Sequence, residues 1–253
     1  VDNASVDDSL AGIEDMSHEY TLIRNSDNLG FGAAVNQGFE AGAGEYFLLI
    51  NPDALFNENA LLNLEKFMDS NPGAGIAGGR VLEEDGRLQL ACRRGLPTPW
   101  VSFCRFARLS RMFPRNRVFG RYNMTFLDEN ATNEVDAVSG SFMMLRREVV
   151  ERLGGFDEDF FLYAEDLDIC YRAKKAGWKV YYHPDAVIVH SKGVSANSNP
   201  RLARYEFYHT MWTFHEKHFK ERTPFFINWI IRGAISVMKV VGPWNAARKA
   251  SRK

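Results

Sequence analysis

The sequence contains little cysteine: three residues in a chain of 253, none of them in a Cys-x-x-Cys pair. This usage excludes a disulfide framework and indicates a reducing compartment. No uninterrupted run of 18 apolar residues occurs, the length from which a membrane-spanning helix is predicted. The net charge of −1 provides no field that would attract nucleic acid, so no nucleic-acid partner is expected.

Acidic residues are missing from residues 86–127, although this stretch contains nine arginines. The arginines favour binding of a diphosphate or an anionic lipid headgroup, and a solvated, flexible segment is the alternative. From residue 224 onward, Phe, Trp and Ile alternate with basic side chains, and the last fifteen residues contain five Lys or Arg and no acid. This pattern is typical of an interfacial helix on an anionic membrane, with a helix packed on the domain as the alternative.

Strand and helix patterns alternate along the chain. The segment YFLLI is a continuous apolar run that stops at Asn-Pro-Asp, as in a buried parallel strand. Residues 58–69 have the apolar spacing of a helix, and AGIAGGRVL predicts the next strand. Further strands are predicted at 19–25, 137–148, 179–183 and 186–190, and further helices from Glu165 and Pro200. The alternation predicts an α/β fold with a mostly parallel central sheet and a C-terminal helical extension.

The first residues, VDNAS, have the pattern of a buried strand that ends in a turn of short polar side chains. In doubly wound folds, ligands bind beyond the carboxyl ends of parallel strands. VDNAS is expected to be one of these ends. We therefore expect one strand and one helix of the fold to precede residue 1.

Two segments contain candidate metal ligands. In INPDA, Asn51 and Asp53 stand two residues apart and can offer oxygen atoms to Mg²⁺ or Mn²⁺, whereas the alternative is an Asx-Pro turn that caps the next helix. His190 ends the strand AVIVH and can add an imidazole nitrogen to the same metal. A hydrogen-bonded structural histidine is the alternative for His190.

Three carboxylates, Glu165, Asp166 and Asp168, fall within four residues at a predicted helix start. The apolar residues before them would desolvate a carboxylate and tune it as a general base. Arg172 stands four residues after Asp168 and can pair with it, which leaves Glu165 or Asp166 for chemistry. An acidic, solvated helix start is the alternative.

Six segments in a fixed order resemble family 2 inverting glycosyltransferases, and most closely the bacterial rhamnosyltransferase branch. They are VDNASVDDS, NLGFGAAVNQGF, EYFLLINPDA, VSGSFMMLRREV, GGFDEDFFLYAEDLDICYRAKKAGW and HPDAVIVHSKGVS. The resemblance implies a GT-A fold over residues 1–195 without its first strand and helix, a nucleotide-sugar donor and a divalent metal, Mg²⁺ or Mn²⁺. Residues 196–253 are then a helical segment that associates with the membrane surface.

The resemblance also implies roles for single residues. The residues expected to bind the donor are Asp2, Asn3, Asn28, Gly30, Asn36, Asn51 and Asp53. Asp53 and His190 would hold the metal, and Asn51 replaces the first Asp of the family's DxD motif with an amide, a weaker ligand for a hard cation. Asp166, with Glu165 beside it, matches the catalytic base. Separately, Arg93 or Arg94 is expected to stabilise the departing diphosphate.

The expected function is transfer of a sugar, rhamnose from dTDP-rhamnose as the best choice, to a lipid-linked or growing cell-surface glycan. A polyprenyl-diphosphate-linked acceptor would explain the arginines and the tail, and predicts a cytoplasmic enzyme on the inner face of the cell membrane. The alternatives are a UDP- or GDP-sugar donor and a non-catalytic carbohydrate- or partner-binding relative. A metal-dependent phosphohydrolase would need more ligands than Asp53 and His190 provide.

Overall fold

A computed structural model describes residues 1–6, 10, 20–56, 58–190 and 200–250, with side chains described except at 58 and 241–250. The described strands are β1 (Asp2–Asn3), β2 (Arg24–Asn25), β3 (Tyr46–Ile50), β4 (Ala54–Phe56), β5 (Ala74–Leu82), β6 (Arg93–Arg94), β7 (Asn133–Glu134), β8 (Ala137–Val138), β9 (Phe142–Arg146) and β10 (Lys179–His190). The described helices are α1 (Phe31–Ala41), α2 (Glu58–Ser70), α3 (Pro99–Phe106), α4 (Leu109–Met112), α5 (Arg147–Leu153), α6 (Glu165–Lys175), α7 (Pro200–His218) and α8 (Phe225–Ala250).

The core is built on a six-stranded sheet in the order β3-β9-β5-β10-β4, with β7 also paired to β10. The α/β class is confirmed, but the expectation of a mostly parallel sheet is wrong. Among the described strands of this sheet, β5 and β10 pair in parallel and the other pairings are antiparallel. The difference arises because β9 enters between β3 and β5 in the opposite direction, and an apolar run does not reveal the direction of its strand.

The segment 137–148, predicted as one strand, is divided into three elements. β8 pairs with β6, so that Arg93 lies opposite Val138 and Arg94 opposite Ala137. A turn at 139–141 follows, then β9, and α5 begins at Arg147. The division moves β8 out of the central sheet and places the turn immediately before the first residue of β9, where it contacts the candidate site.

β10 is one strand of 12 residues where two were predicted. Its register with β5 shifts between His183 and Val187, so Pro184 lies in an irregularity of the pairing. Proline has no N–H to donate and is tolerated at such a position. Beyond it, β10 pairs with β4 and places His190 opposite Ala54.

Helix α2 covers one face of the sheet. The Phe67 ring stacks on His183 with ring centroids 4.7 Å apart and packs edge-on against Tyr181 at 5.3 Å. Val180 and Tyr182 alternate with these residues along β10 and are fully buried, so they belong to the opposite face. The sheet therefore has a buried face on each side.

Helices α7 and α8 form a hairpin that packs on α6. Phe214 of α7 is buried, and its ring centroid lies 6.1 Å from Tyr171 and 6.4 Å from Phe160. His215 Nε2 and Asn228 Oδ1 join the two helices at 2.6 Å. Helix α8 thus packs on α7, which packs on the domain, and the predicted association of this segment with a membrane surface stays a prediction. The domain boundary predicted at residue 195 falls within 191–199, outside the described residues, and stays a prediction.

Helix α8 also has an exposed apolar side. Phe225 and Trp229 are 77% and 79% exposed, whereas Ile235 is buried against the rest of the hairpin. Among the described helices, none has the length and apolar content needed to cross a membrane.

The start of the chain forms a separate small sheet. β1 pairs with β2 in parallel, with Asp2 opposite Arg24 and Asn3 opposite Asn25. The strand predicted at 19–25 is therefore found at its C-terminal end, and residue 19 lies outside the described range. A strand that precedes β1 stays a prediction.

Candidate active site

Asn51, Asp53 and His190 meet at the end of the central sheet. The chain turns sharply after β3, and the Ala54 amide donates a hydrogen bond of 3.1 Å to the Asn51 carbonyl. Asp53 is therefore held at the entrance of β4, the strand that pairs with the last residues of β10. Residues separated by 137 positions or more in sequence thus become neighbours, as the metal-site hypothesis requires.

The orientation of the His190 ring is set by Gln89. The Gln89 Nε2 donates to the His190 carbonyl at 2.7 Å, and the Gln89 Oε1 lies 3.2 Å from His190 Nδ1. Because Oε1 can only accept, Nδ1 carries the hydrogen, and the neutral form of the ring then has its lone pair on Nε2. That Nε2 lies 3.2 Å from Asn51 Nδ2 and 3.0 Å from Asp53 Oδ1. No sequence motif pointed to Gln89.

The donor atoms at this position fit a divalent cation. Asp53 Oδ1 is buried and accepts no hydrogen bond from the described residues, although His190 Nε2 is close. A carboxylate oxygen and the lone pair of a neutral imidazole repel each other at this distance, and either a proton on Nε2 or a cation bound between the two atoms removes the repulsion. A carboxylate oxygen with an imidazole nitrogen suits Mn²⁺, and Mg²⁺ accepts the oxygen ligands.

The protein supplies only part of a metal's coordination shell. Within the described ranges, no group of three or more His, Cys, Asp and Glu side chains could hold a metal by itself. Asp53 and His190 offer two strong donors and the Asn51 amide a weaker one. Phosphate oxygens of a bound ligand and water would have to complete the shell, which is how Mg²⁺ commonly binds beside phosphates.

The acidic residues at the start of α6 are buried, so the alternative of a solvated helix start is wrong. Tyr163 and Ala164 precede them with φ angles of 72° and 66°, in the left-handed region. Such a backbone is strained by about 1–3 kcal/mol per residue and is typical of functional sites. Asp168 forms the predicted pair with Arg172 at 2.6 Å, and its other oxygen lies 2.6 Å from His218 Nε2.

Asp166 is held by three hydrogen bonds. Its Oδ2 accepts from Arg94 Nη2 and from the Gly140 amide at 3.1 Å, and its Oδ1 accepts from the Leu167 amide at 2.8 Å. Burial alone would lower the pKa of Arg94, but the charge of Asp166 raises it above the usual value, so the guanidinium stays charged. A carboxylate has about four acceptor positions, and one on Oδ1 is therefore free for a further proton donor.

Glu165 differs from Asp166 in its protonation. It is buried, and its Oε2 has no hydrogen-bond partner among the described residues. Burial and the adjacent charge of Asp166 raise the pKa of Glu165 to about 8. Glu165 is therefore neutral at pH 7.

One turn connects the two polar clusters. The Ser141 carbonyl accepts a hydrogen bond of 3.2 Å from the backbone N–H of Asn51, and the backbone N–H of the adjacent Gly140 donates to Asp166 Oδ2. The turn that separates β8 from β9 therefore fixes the position of the acid pair relative to the candidate metal ligands.

A network of amides organises the glycine-rich loop before α1. Asn3 donates to Asn28 Oδ1 at 2.9 Å and to the Gly30 carbonyl at 3.1 Å, and it accepts from Leu29 at 3.0 Å. Gly30 has a φ of 90°, and a Cβ there would lie 2.8 Å from the Phe161 carbonyl oxygen. The loop is thus packed against the segment before the acid pair. The donor contacts expected of Asp2, Asn3, Asn28 and Gly30 stay predictions.

Asn36 and Arg93 are engaged with main-chain groups. Asn36 donates to the Phe156 carbonyl at 3.0 Å and accepts from the Phe156 amide at 2.8 Å. Arg93 donates to the carbonyls of Leu127 and Asp128 at 3.0 and 2.9 Å. Of the two arginines predicted to act on the diphosphate, Arg94 contacts the acid pair and Arg93 does not. The donor contacts of Asn36 and Arg93 stay predictions.

A cavity of about 720 Å³ opens above the acid pair. Its lining includes Arg94, Glu165 and Asp166. Its walls come from the arginine-rich stretch on one side and from the α7–α8 hairpin on the other, and include Phe103, Arg105, Phe106, Arg108, Arg111, Phe207, Phe214, Ile230, Ile231, Ala234, Ile235 and Met238. Its size suits a saccharide together with an apolar group.

Comparison with known proteins finds one family model and several relatives that are similar in sequence. A family model described as "Glycosyltransferase like family 2" matches residues 3–222. An N-acetylglucosaminyl-diphospho-decaprenol L-rhamnosyltransferase of Mycobacterium tuberculosis is 28% identical over all of this chain and 85% of its own length. Rhamnosyltransferase WbbL of Escherichia coli K12 is 27% identical over 62% of this chain and 56% of its own length.

Solved structures share the fold. A mannosyltransferase of Pyrobaculum calidifontis, solved with GDP-Man and Mn²⁺, aligns with 98% of this chain and 65% of its own at a TM-score of 0.56 and 19% identity. Residues 1–349 of TarS from S. aureus, solved with UDP, align with 84% of this chain and 53% of that one at a TM-score of 0.51. These likenesses confirm the expected GT-A fold.

Proposed function

Because the chain belongs to glycosyltransferase-like family 2, we propose that it transfers rhamnose from dTDP-rhamnose to a lipid-linked or growing cell-surface glycan with inversion of configuration. The observation that carries the proposal is the buried Glu165–Asp166 pair in the cavity lining, connected by the 139–141 turn to the Asp53–His190 position. The names of the mycobacterial and E. coli relatives support rhamnose as the sugar.

Asp166 is the base in this mechanism. It accepts a proton from an acceptor hydroxyl on the free position of Oδ1, while Arg94 and Gly140 hold Oδ2 in place. The hydroxyl oxygen forms a bond to the anomeric carbon as the bond from that carbon to the diphosphate oxygen breaks. The bonding electrons leave with the nucleoside diphosphate, and attack from the opposite face inverts the configuration.

Glu165 keeps the pair at a single negative charge. Because it is neutral at pH 7, it does not add a second charge that would repel the diphosphate of the donor. Asp53 and His190, assisted by Asn51, would hold Mg²⁺ or Mn²⁺. A metal bound there would supply positive charge that stabilises the leaving diphosphate.

The proposal includes a location on the inner face of the cell membrane. The support is the exposed side of α8, where Phe225, Trp229 and Ile230 are more than half exposed, and the basic residues that follow them in sequence. Apolar side chains next to Lys and Arg favour the interface of an anionic leaflet.

A thermal-shift panel tests the donor and the metal together. The full chain is heated with dTDP-rhamnose, UDP-galactose, UDP-N-acetylglucosamine or GDP-mannose, each with and without Mn²⁺. We expect dTDP-rhamnose with Mn²⁺ to raise the melting temperature, since a ligand at 100 times its Kd stabilises by about 2.7 kcal/mol. In the Asp53→Asn variant, the part of this rise in melting temperature that depends on Mn²⁺ should be lost. A rise with another sugar nucleotide alone would overturn rhamnose as the sugar, and no rise with any would overturn the proposal.

A further inference from the structure

We propose that the cavity between the arginine-rich stretch and the α7–α8 hairpin binds the isoprenoid diphosphate of the acceptor. The acceptor sugar would lie over Asp166, the diphosphate against Arg105 and Arg111, and the first isoprenoid units against α8. This inference rests on the proposed function, and it assigns a binding site and a substrate class to residues outside the acid pair and the candidate metal ligands.

The charges of the cavity fit a diphosphate. Arg105, Arg108 and Arg111 line it, and Glu165 and Asp166 are its acidic lining residues. Glu165 is neutral at pH 7, and Asp166 is already balanced by Arg94. Three arginines remain, and within the described part of the chain no carboxylate lies within ion-pair distance of them. Guanidinium groups bind phosphate oxygens in bidentate geometry, which makes them suitable partners for a diphosphate.

The remaining walls fit a hydrocarbon. Phe103 and Phe106 of α3 face the cavity from one side and are about half exposed. From the other side, α8 contributes Ile230, Ile231 and its neighbours. An exposed patch of this kind, next to arginines, is uncommon on a protein whose only ligand is a sugar nucleotide and indicates an apolar binding partner.

The extent of the cavity also fits. Glu165 and Asp166 line it, and so does Ile230, which is 66% exposed and stands on α8 beside the exposed Trp229 and four residues after the exposed Phe226. An acceptor whose lipid chain remains in a membrane beneath α8 could therefore present its sugar to Asp166 without leaving the bilayer. Ile230 belongs both to the lining of the cavity and to the exposed side of α8.

Calorimetric titration of the full chain with farnesyl diphosphate tests the site without any catalytic step. Farnesol and inorganic diphosphate are the separate arms for the apolar and charged halves. We expect farnesyl diphosphate to bind more tightly than farnesol or inorganic diphosphate. The double variant Arg105→Ala/Arg111→Ala should bind farnesyl diphosphate at least about tenfold more weakly, because charge-assisted hydrogen bonds are lost. Arg108 is left unchanged because its φ of 59° makes the backbone sensitive to substitution.

The matched control for the charges is Arg115→Ala/Arg117→Ala. Both control arginines are exposed and belong to the same stretch but do not line the cavity. The two pairs are also alike in their ring contacts, since Arg105 lies over Tyr122 at 4.4 Å and Arg117 over Phe126 at 6.0 Å. The control variant should bind farnesyl diphosphate as the wild type does.

A second pair of variants tests the apolar wall. Ala234 is exposed and lines the cavity, so the larger side chain of Ala234→Phe should fill the cavity without disturbing the core. The affinity for farnesyl diphosphate should then fall at least about tenfold. Val237 lies on the same helix outside the cavity, and Val237→Phe should have no effect. Equal binding by all variants would overturn the inference, as would equal binding of inorganic diphosphate and farnesyl diphosphate by the wild type.

Two further measurements separate this inference from the proposed function. The Ala234→Phe variant should keep the dTDP-rhamnose thermal shift, because the donor and candidate metal residues lie outside the α7–α8 hairpin. Loss of farnesyl diphosphate binding by the wild type, with the donor shift intact, would overturn the site and leave the transferase proposal standing. A dimer in sedimentation velocity that Ala234→Phe disrupts would assign the groove to a second copy and overturn the lipid assignment.

Discussion

The two polar clusters of the site differ in how their carboxylates are balanced. Asp166 has a counter-charge within the protein, because Arg94 and two backbone amides bind its oxygens. Asp53 has the His190 imidazole beside it, and its buried Oδ1 accepts no hydrogen bond within the described ranges. The first cluster is balanced by groups of the protein itself, whereas the second has the arrangement that the proposed metal would complete.

This difference indicates separate tasks. A general base must be held in one orientation before the acceptor binds, and a buried ion pair provides that orientation. In a metal-dependent donor site, by contrast, the carboxylate should lack a counter-charge until the metal and the diphosphate are both bound. Each of the following variants changes the balance in one cluster and leaves the other intact.

Asp166→Asn should have the largest effect on turnover. Removal of a general base lowers rates by about 10²–10⁴. It also leaves Arg94 buried without its partner, which costs roughly 3–5 kcal/mol and lowers the melting temperature by about 10 °C. The measurements are sugar transfer under saturating donor and the melting temperature by calorimetry.

The double variant Arg94→Met/Asp166→Asn separates these two effects. It removes the uncompensated charge, so the melting temperature should recover while transfer stays absent. Recovery of transfer in the double variant would show that Asp166 serves only to neutralise Arg94 and is not the base.

Asp53→Asn should remove the response to metal. The Asn amide can donate to His190 Nε2, so we expect the metal-free protein to melt at a slightly higher temperature than the wild type. Apparent Mn²⁺ affinity should fall by about 100-fold or more, since even ligand-orienting residues contribute 10–100-fold. Mn²⁺ titration with the donor present measures it, and Asp85→Asn on the surface is the control. Unchanged Mn²⁺ affinity would remove Asp53 from the metal site.

Asn51→Asp should strengthen the same site. A carboxylate binds a hard cation better than an amide does, so apparent Mn²⁺ affinity should increase by about tenfold, or 1.4 kcal/mol. The same Mn²⁺ titration measures this affinity. The control is Asn116→Asp, which makes the same change of charge at an exposed position outside the site. A decrease in Mn²⁺ affinity would mean that the amide is required as a hydrogen-bond donor to His190.

Glu165→Gln should act on the pH dependence of stability. Its pKa rises from 4.5 in the unfolded chain to about 8 in the native state. Between these values the native state binds the extra proton, so stability falls as pH rises, by at most about 1.4 kcal/mol per pH unit. Gln cannot ionise, and the melting temperature of the variant should fall less between pH 5 and 8. The exposed Glu148→Gln should follow the wild type, and an unchanged slope in Glu165→Gln would contradict the raised pKa.

Much of the fold was predictable because local pattern determined it. Helix α2 and strand β5 lie almost where the apolar spacing placed them. The direction of β9 was not predictable, because alternate pairings bury the same residues equally well. Two predicted strands are one strand, β10, because the neighbouring β5 pairs with the residues of β10 on both sides of Pro184.

The candidate site was predictable in its residue types and less so in its contacts. Asp53, Asn51 and His190 were predicted together. In the structure, His190 Nε2 lies 3.2 Å from Asn51 Nδ2 and 3.0 Å from Asp53 Oδ1. Gln89 was missed, because a glutamine in an arginine-rich stretch has no motif. Arg94 was predicted to bind a diphosphate, and its contact with Asp166 arises only because β6 pairs with β8 beside α6.

The sequence by itself determined the α/β class, the family and the positions of the acids, because these depend on the order of short local patterns. The tertiary structure alone decided which acid is charged, which carboxylate lacks a partner and where the apolar cavity opens. The physical reason is that burial and electrostatic pairing depend on distances between residues far apart in sequence. A carboxylate next to a guanidinium and one next to an imidazole are the same residue in the sequence, and only the fold gives them different chemistry.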